Sequence, residues 1–269
     1  DSTWQLNIGD STPVGELTIR GDLASWPLGD AENPRHVVAI IQARMGSTRL
    51  PGKVLEDIAG QSMLARVVRR VQRARLVDQV VVATSTSSAD EAIVLECERL
   101  RIGSFRGDEQ DVLDRYYRTA VHFRAPVIVR ITSDCPLIEP KIVVRVVAAF
   151  QAAQPDYASN TLDRSYPRGL DTEVMSLDAL ARAWAEAPEP YQRVHVTPYF
   201  YQNPALFALL SVRQQRDDSP HRWTVDTPED LAFVRQIYEH MGGGDGFGWE
   251  DVLALLEREP GLAAINSSM

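Results

Sequence analysis

Three short stretches of this 269-residue chain carry residue types able to manage a polyphosphate. The first is Gln42-Ala43-Arg44-Met45-Gly46-Ser47-Thr48-Arg49-Leu50-Pro51-Gly52-Lys53. Arg44, Arg49 and Lys53 place three positive charges within ten residues, and Ser47 and Thr48 add hydroxyl donors. Gly46 and Gly52 let the backbone approach a ligand, so amide N–H groups can face phosphate oxygens. A triphosphate needs such a density of charged donors; a basic turn with a Pro-Gly bend is the plainer alternative. The loop is not a Walker A motif, because position 54, after the lysine, is Val, and its glycine spacing excludes a dinucleotide fingerprint.

The second stretch is Ser133-Asp134-Cys135-Pro136, directly after an apolar run. Asp134 is placed to hold Mg²⁺ against phosphate oxygens, or to cap a turn before Pro136. The third is Trp223-Thr224-Val225-Asp226-Thr227-Pro228-Glu229-Asp230. Here Asp226 is either a second metal carboxylate or, with Thr227, a helix N-cap; Glu229 and Asp230 suit the helix dipole. Two carboxylates from distant points fit a metal bridging a nucleotide and an acceptor.

Such residues need strand ends to hold them. VVAIIQ (37–42), VVVAT (80–84) and PVIVRIT (126–132) read as buried strands. Helical patterns over 61–76, 88–101, the DEQDVLDRYYRTAVHF segment and 140–151 alternate with them, with Ser88 and Asp90 as candidate caps and Pro140 opening the last. The alternation predicts an α/β fold, a Rossmann-like and mostly parallel sheet flanked by helices. Ligands of such sheets bind at the carboxyl ends of strands, where the loop after 42 and Asp134 both fall. In the second half, 158–174 reads as loop and strand, 176–187 and 190–202 as helices, and 205–215 as a strand. A short strand through Asp226 precedes a helix, and GGGDGFG (242–248) reads as a flexible linker to a last helix, 249–258. This half is expected to form a smaller acceptor and dimerisation subregion. Residues 1–34 are expected to be an appendage or the tail of an upstream module in a longer chain, and 35–269 the catalytic domain.

Net charge is −9, which argues against non-specific nucleic-acid binding. Residues 35–75 nevertheless hold nine Lys/Arg against two Asp/Glu, a local basic segment that suits one anionic small molecule. Arg66, Arg69, Arg70, Arg73 and Arg75 read as a solvated helix face. No apolar stretch reaches the length of a membrane span. Cys97 and Cys135 lack metal-ligand spacing and read as small buried hydrophobes, suiting a reducing cytoplasm.

In this order, Arg44–Lys53, SDCPLI and WTVDTPEDL resemble the cytidylyltransferases that make CMP-activated acidic sugars. Among these, the spore coat polysaccharide biosynthesis protein F subfamily is most similar, with acylneuraminate and 3-deoxy-manno-octulosonate cytidylyltransferases as more distant relatives. The resemblance runs from about Val37 to Asn266. It implies a fold of the nucleotide-diphospho-sugar transferase type and Mg²⁺-dependent transfer of CMP from CTP to a small acceptor, in a homodimer. It further implies that Arg44, Ser47, Arg49 and Lys53, with Ala43, Gly46 and Thr48, bind CTP; that Asp134 and Asp226 hold Mg²⁺; and that Thr84 and Arg106 lie near the cytidine. Tyr166, Gly169, Asp171, Glu173 and Arg193–His195 would border the acceptor, His195 either packing or touching it. Asp108 caps a helix or meets the nucleotide. Ser133 stands where the subfamily commonly has Gly, and Val194 where an Arg-Glu-His-Val run would have Glu. Two rivals remain open: a nucleotidyltransferase using another base or a phosphonate or polyol acceptor, and an inactive scaffold domain.

Overall fold

Runs of β-branched residues alternate with amphipathic stretches from Val37 onward, and most become elements where the pattern places them. The computed structural model describes residues 36–266 and, before them, the backbone pairing of two short strands, β1 (Thr3–Gln5) and β2 (Glu16–Thr18). The expected 1–34 appendage otherwise lies outside the described residues. β3 (Val37–Gln42) runs into the basic loop, followed by a small hairpin, β4 (Asp57–Ile58) and β5 (Gln61–Ser62), and by α1 (Met63–Gln72). Next come β6 (Gln79–Ser85), α2 (Glu91–Leu100), β7 (Gly103–Gly107), α3 (Val112–His122), β8 (Val127–Thr132) and α4 (Pro140–Ala153). The second half contains β9 (Tyr157–Ser159), β10 (Glu173–Ser176), α5 (Leu177–Glu186), α6 (Pro190–His195), α7 (Pro198–Gln202) and β11 (Leu209–Ser211). It closes with α8 (Pro228–His240), α9 (Trp249–Arg258) and α10 (Pro260–Ala263).

The main sheet has the order β11-β9-β10-β8-β3-β6-β7. β3 pairs in parallel with β6 and β8, β6 with β7, and β9 with β11, while β10 runs antiparallel to β8 and β9. This is the mostly parallel, helix-flanked sheet that the alternation predicts. Side chains alternate across a strand, so Val37, Ala39 and Ile41 join α1, α4, α8 and α9 on one face. Val38 and Ile40 join α3, α5 and α7 on the other. Burying each such Val or Ile stabilises the fold by about 1.5–3 kcal/mol. The centre of the sheet is therefore a rigid floor for whatever its carboxyl edge carries. No helix among the described residues is long and apolar enough to cross a membrane.

Several local expectations change. β7 is a strand that its sequence, GSFRG, disguises as loop; a Cβ at Gly103 would lie 2.7 Å from the Phe123 ring, so close packing excludes a larger residue. The helix expected over 190–202 breaks in two. Pro198 opens α7 at its first position, and the break falls at Val196, which turns to φ 71°, ψ −58°, with Thr197 N–H donating to His195 O at 2.9 Å. That is a γ-turn of the rare, strained kind. The strand expected over 205–215 pairs only at Leu209–Ser211, and the segment before Asp226 makes only a single bridge, Arg168 with Arg222, rather than a strand. Arg66 and Arg70 are not solvated: they are 2% and 0% exposed. They donate to Ala59 O, Gly243 O, Ile138 O and Phe247 O, and Arg66 pairs with Asp245 at 3.1 Å. The glycine-rich 242–248 segment is thus clipped onto α1 rather than left as a free linker.

Candidate active site

The basic loop starts where β3 ends and is closed on itself. Gly52 N–H donates to Met45 O at 3.0 Å, with Gly52 at φ 73°, the left-handed region that glycine occupies without strain. Lys53 then enters a 3-10 turn, Lys53–Leu55, that aims its side chain back across the sheet edge. Ser133 N–H bonds Gln42 O at 3.1 Å, which brings Asp134 beside the start of the loop. Val225 N–H bonds Asp134 O at 2.8 Å, which draws the 223–226 segment to the same place.

The result is a three-charge junction. Lys53 Nζ lies 3.2 Å from Asp134 Oδ2, 3.0 Å from Asp226 Oδ1 and 2.7 Å from Val225 O, and its side chain is 12% exposed. Burial opposes the Lys53 charge, but the Asp134 and Asp226 carboxylates overcome it and raise the lysine above its ordinary pKa. Burial likewise opposes the Asp226 charge, and Lys53 and Arg49 overcome it and lower that carboxyl. Asp226 also meets Arg49 at 3.3 Å and Arg222 at 3.1 Å. Asp230, 0% exposed, accepts the N–H groups of Asp226 and Thr227 at 2.9 and 3.0 Å while Thr227 caps α8. Asp226 is therefore free of capping duty, which Thr227 and Asp230 share.

The junction forms one end of an open cleft of about 400 Å³. Ala43, Arg44, Gly46, Ser47, Thr48, Arg49, Lys53, Asp134, Asp226 and His195, all expected at the site, line it together. The remaining expected residues do not. Thr84 is 0% exposed and donates its hydroxyl to Asp90; Arg106 donates to Ser85 O and Ser87 O and pairs with Glu91. Tyr166 is buried in the core with its hydroxyl 3.3 Å from Arg145. Gly169, at φ 103°, packs against the Trp223 backbone, and Asp171 is held by Arg164 at 2.5 and 2.9 Å. Asp108 accepts the Gln110 and Asp111 amides in the turn before α3, whose N-cap is Asp111.

Two cleft arginines escaped sequence reasoning. Arg130 sits in β8, where a charge inside an otherwise apolar strand was the available signal. It pairs with Glu173 and donates to Gln42 Oε1 at 3.0 Å, and Glu173 also accepts from Tyr157. Glu173 is thus the buried partner of a cleft cation. Arg115, 1% exposed on α3, donates to Asp108 O at 2.6 Å; burial lowers its pKa and the nearby Arg44 charge lowers it further. His195 is pushed below the ordinary histidine pKa by burial and then by Arg130, so it stands neutral at pH 7, with Tyr191 4.3 Å from its ring. Val194 presents an apolar side chain to the cleft, while Arg193 turns away to clasp Asp111. Burial pushes the Cys97 thiol up to about 12 and raises Cys135 too, so both behave as buried apolar groups.

A strongly charged cleft at the carboxyl edge of a mostly parallel sheet, with two aspartates gathered on a cation, suits nucleotide chemistry. The profile of the family described as cytidylyltransferase matches residues 38–248. The chain belongs to the cytidylyltransferase family. It is 32% identical over 234 residues to the spore coat polysaccharide biosynthesis protein SpsF of Bacillus subtilis, covering 84% of this chain and 96% of that protein. It is 36% identical over 243 residues to a 3-deoxy-manno-octulosonate cytidylyltransferase of Anaeromyxobacter dehalogenans, covering 76% and 98%. The solved structure of a cytidylyltransferase from Leptospira borgpetersenii is similar at TM-score 0.82 and 31% identity, over 87% of this chain and 98% of that one.

Proposed function

We propose that this chain transfers CMP from CTP to an acidic sugar or related hydroxy acid and releases pyrophosphate. The observation that carries this reading is the convergence of Lys53, Asp134 and Asp226 at the mouth of the basic loop. Among the described residues no three His, Cys, Asp or Glu side chains converge as a metal cage. Mg²⁺ does not need one, since it binds through one or two carboxylates plus phosphates and water. Asp134 and Asp226 already gather an ammonium between them, and they fit that role. When bound there, Mg²⁺ would neutralise charge on the phosphate oxygens.

The remaining work belongs to the chain itself. Arg44 and the Gly46–Arg49 segment bind the triphosphate, and Lys53 stands ready to neutralise charge that grows on the departing pyrophosphate. An acceptor oxygen lying against the Val194–His195 wall attacks the α-phosphorus in line. Catalysis of this kind is positioning plus charge stabilisation. Pairing of two copies through the second half belongs to the same reading, with Tyr191, Tyr201 and Leu206 as exposed apolar surface; sedimentation velocity would report a monomer if that part is wrong.

A thermal-shift screen with CTP, UTP, GTP and ATP, each with and without Mg²⁺, tests the nucleotide. A ligand at 100 times its Kd stabilises the native state by about 2.7 kcal/mol, which moves the midpoint by several degrees. A shift selective for CTP with Mg²⁺ is expected, followed by pyrophosphate release with an acidic sugar; equal shifts with all four nucleotides would refute the base assignment.

A further inference from the structure

Asp90 has no place in the chemistry above, yet it is among the most tightly bonded carboxylates of the cleft's surroundings. It ends the 3-10 turn Ser88–Asp90 and precedes α2, but its side chain makes no cap there. At 2% exposure it turns inward instead. Its Oδ1 accepts the Met45 N–H at 2.7 Å, and its Oδ2 accepts the Thr84 hydroxyl at 3.0 Å, the Ser85 N–H at 3.0 Å and the Ser85 hydroxyl at 2.5 Å. All four donors are neutral. A buried carboxylate survives only when it is so bonded.

The position is electrostatically unhelpful for a loop that must attract phosphate. A negative charge lies directly beneath Met45, between the two residues, Arg44 and Gly46, that face the cleft. Attraction of substrate therefore does not explain it. Geometry does: one carboxylate, 45 residues from Met45 in sequence, ties the first turn of the basic loop to the carboxyl end of β6. We propose that Asp90 is a positioning residue that fixes the basic loop against the end of β6, setting where the loop's phosphate-binding groups stand at the sheet edge. The inference rests on the nucleotide reading of that loop.

The two carboxylate oxygens make the test selective. In Asp90→Asn one oxygen becomes an NH₂. The side with three donors retains the carbonyl, and the NH₂ then confronts the Met45 N–H, so the loop tether breaks while the β6 bonds remain. Ser85→Ala is the control, removing one hydroxyl from Oδ2 while the Ser85 N–H, the Thr84 hydroxyl and the Met45 bond remain. The measurements are hydrogen exchange of peptides covering 43–53 in nucleotide-free protein, and CTP affinity and kcat with Mg²⁺. Asp90→Asn is expected to speed loop exchange and to weaken CTP by about tenfold, as an unsatisfied buried donor implies, with kcat at saturation within about twofold. Its penalty is expected to shrink in an Arg44→Ala background, because coupled residues are not additive. Ser85→Ala is expected to leave loop exchange and CTP affinity as in wild type. Unchanged loop exchange in Asp90→Asn, or the same loss of affinity in Ser85→Ala, overturns the proposal. Exchange is read without nucleotide, so a wild type that binds no CTP counts against the proposed function and not against the tether.

Discussion

The two ends of the cleft are built differently. At the end proposed for the nucleotide, one contiguous loop supplies Arg44, Ser47, Thr48, Arg49 and Lys53, and backbone bonds from Ser133 and Val225 bring the two aspartates to it. At the end proposed for the acceptor, Arg130, Val194 and His195 come from β8 and α6, and Arg130's supports, Glu173 and Tyr157, come from two further strands. Charge differs as well. Lys53 is shared between Asp134 and Asp226, and Asp226 in turn meets Arg49, whereas Arg130 is matched by a single buried Glu173, its side chain 7% exposed. Contiguity makes the first end a motif that can be transplanted; dispersion makes the second depend on the whole sheet. Chemistry is therefore expected to break at the first end, and folding at the second.

The largest effect is expected at Asp226. Asp226→Ala removes one of the two carboxylates at the junction and leaves Arg49 and Arg222 short of a partner. Turnover is expected to fall by about 10³-fold, the scale of losing one transition-state charge contact. CTP binding should weaken far less, because the loop is intact. Full activity in that variant would remove Asp226 from the site.

The contrast predicts a different failure for Arg130→Met. It strands Glu173 as an unpaired buried charge, which costs about 3 kcal/mol of stability. The midpoint of urea unfolding should fall accordingly, and Arg130→Met/Glu173→Gln should recover most of the loss. If the single variant is as stable as wild type, the acceptor end does not lean on the sheet in this way.

The same contrast explains what could be read in advance. The basic loop, Asp134 and Asp226 are local signals: glycine and charge spacing, or a carboxylate just beyond an apolar run. The meeting of the loop with Asp134 was legible because strand ends of a parallel sheet share an edge, whereas Asp226 arrives through the Val225–Asp134 backbone bond rather than at a strand end. Arg130, Arg115 and Asp90 were hidden because each acts through partners that only the fold brings near, as the Asp90–Met45 bond shows. Tyr166, Gly169 and Asp171 lie in a stretch that resembles the family, but local packing turns them to the core, to the Trp223 backbone and to Arg164. Burial of Arg66 and Arg70 was equally invisible, since a helix pattern shows a polar side without showing that a later loop covers it.

Lys53→Met sharpens the nucleotide end. Without the ammonium, Asp134 loses its cation and Asp226 keeps only Arg49 and Arg222, so the two carboxylates attract a cation more strongly. Mn²⁺ titrated without nucleotide, followed by its electron paramagnetic signal, is expected to bind about tenfold more tightly than to wild type, and kcat to fall by about 10²-fold. Equal Mn²⁺ affinity in the two proteins would mean that the ammonium and the metal do not compete.

The smallest effect is expected at His195. Its pKa is already lowered by burial and by Arg130, which favours the neutral ring, so it offers packing and a hydrogen bond more than charge. His195→Ala should raise the acceptor KM by about fivefold, the equivalent of one ordinary hydrogen bond, with the CTP KM unchanged. His195→Phe, which keeps a ring against Tyr191, should lose the hydrogen bond alone. The wild-type acceptor KM should also change little between pH 7 and 8.5 as far as this group is concerned, since its lowered pKa puts most of its deprotonation below that window. A CTP KM that rises with the acceptor KM in His195→Ala would place the imidazole at the nucleotide end and erase the division between the two halves of the cleft.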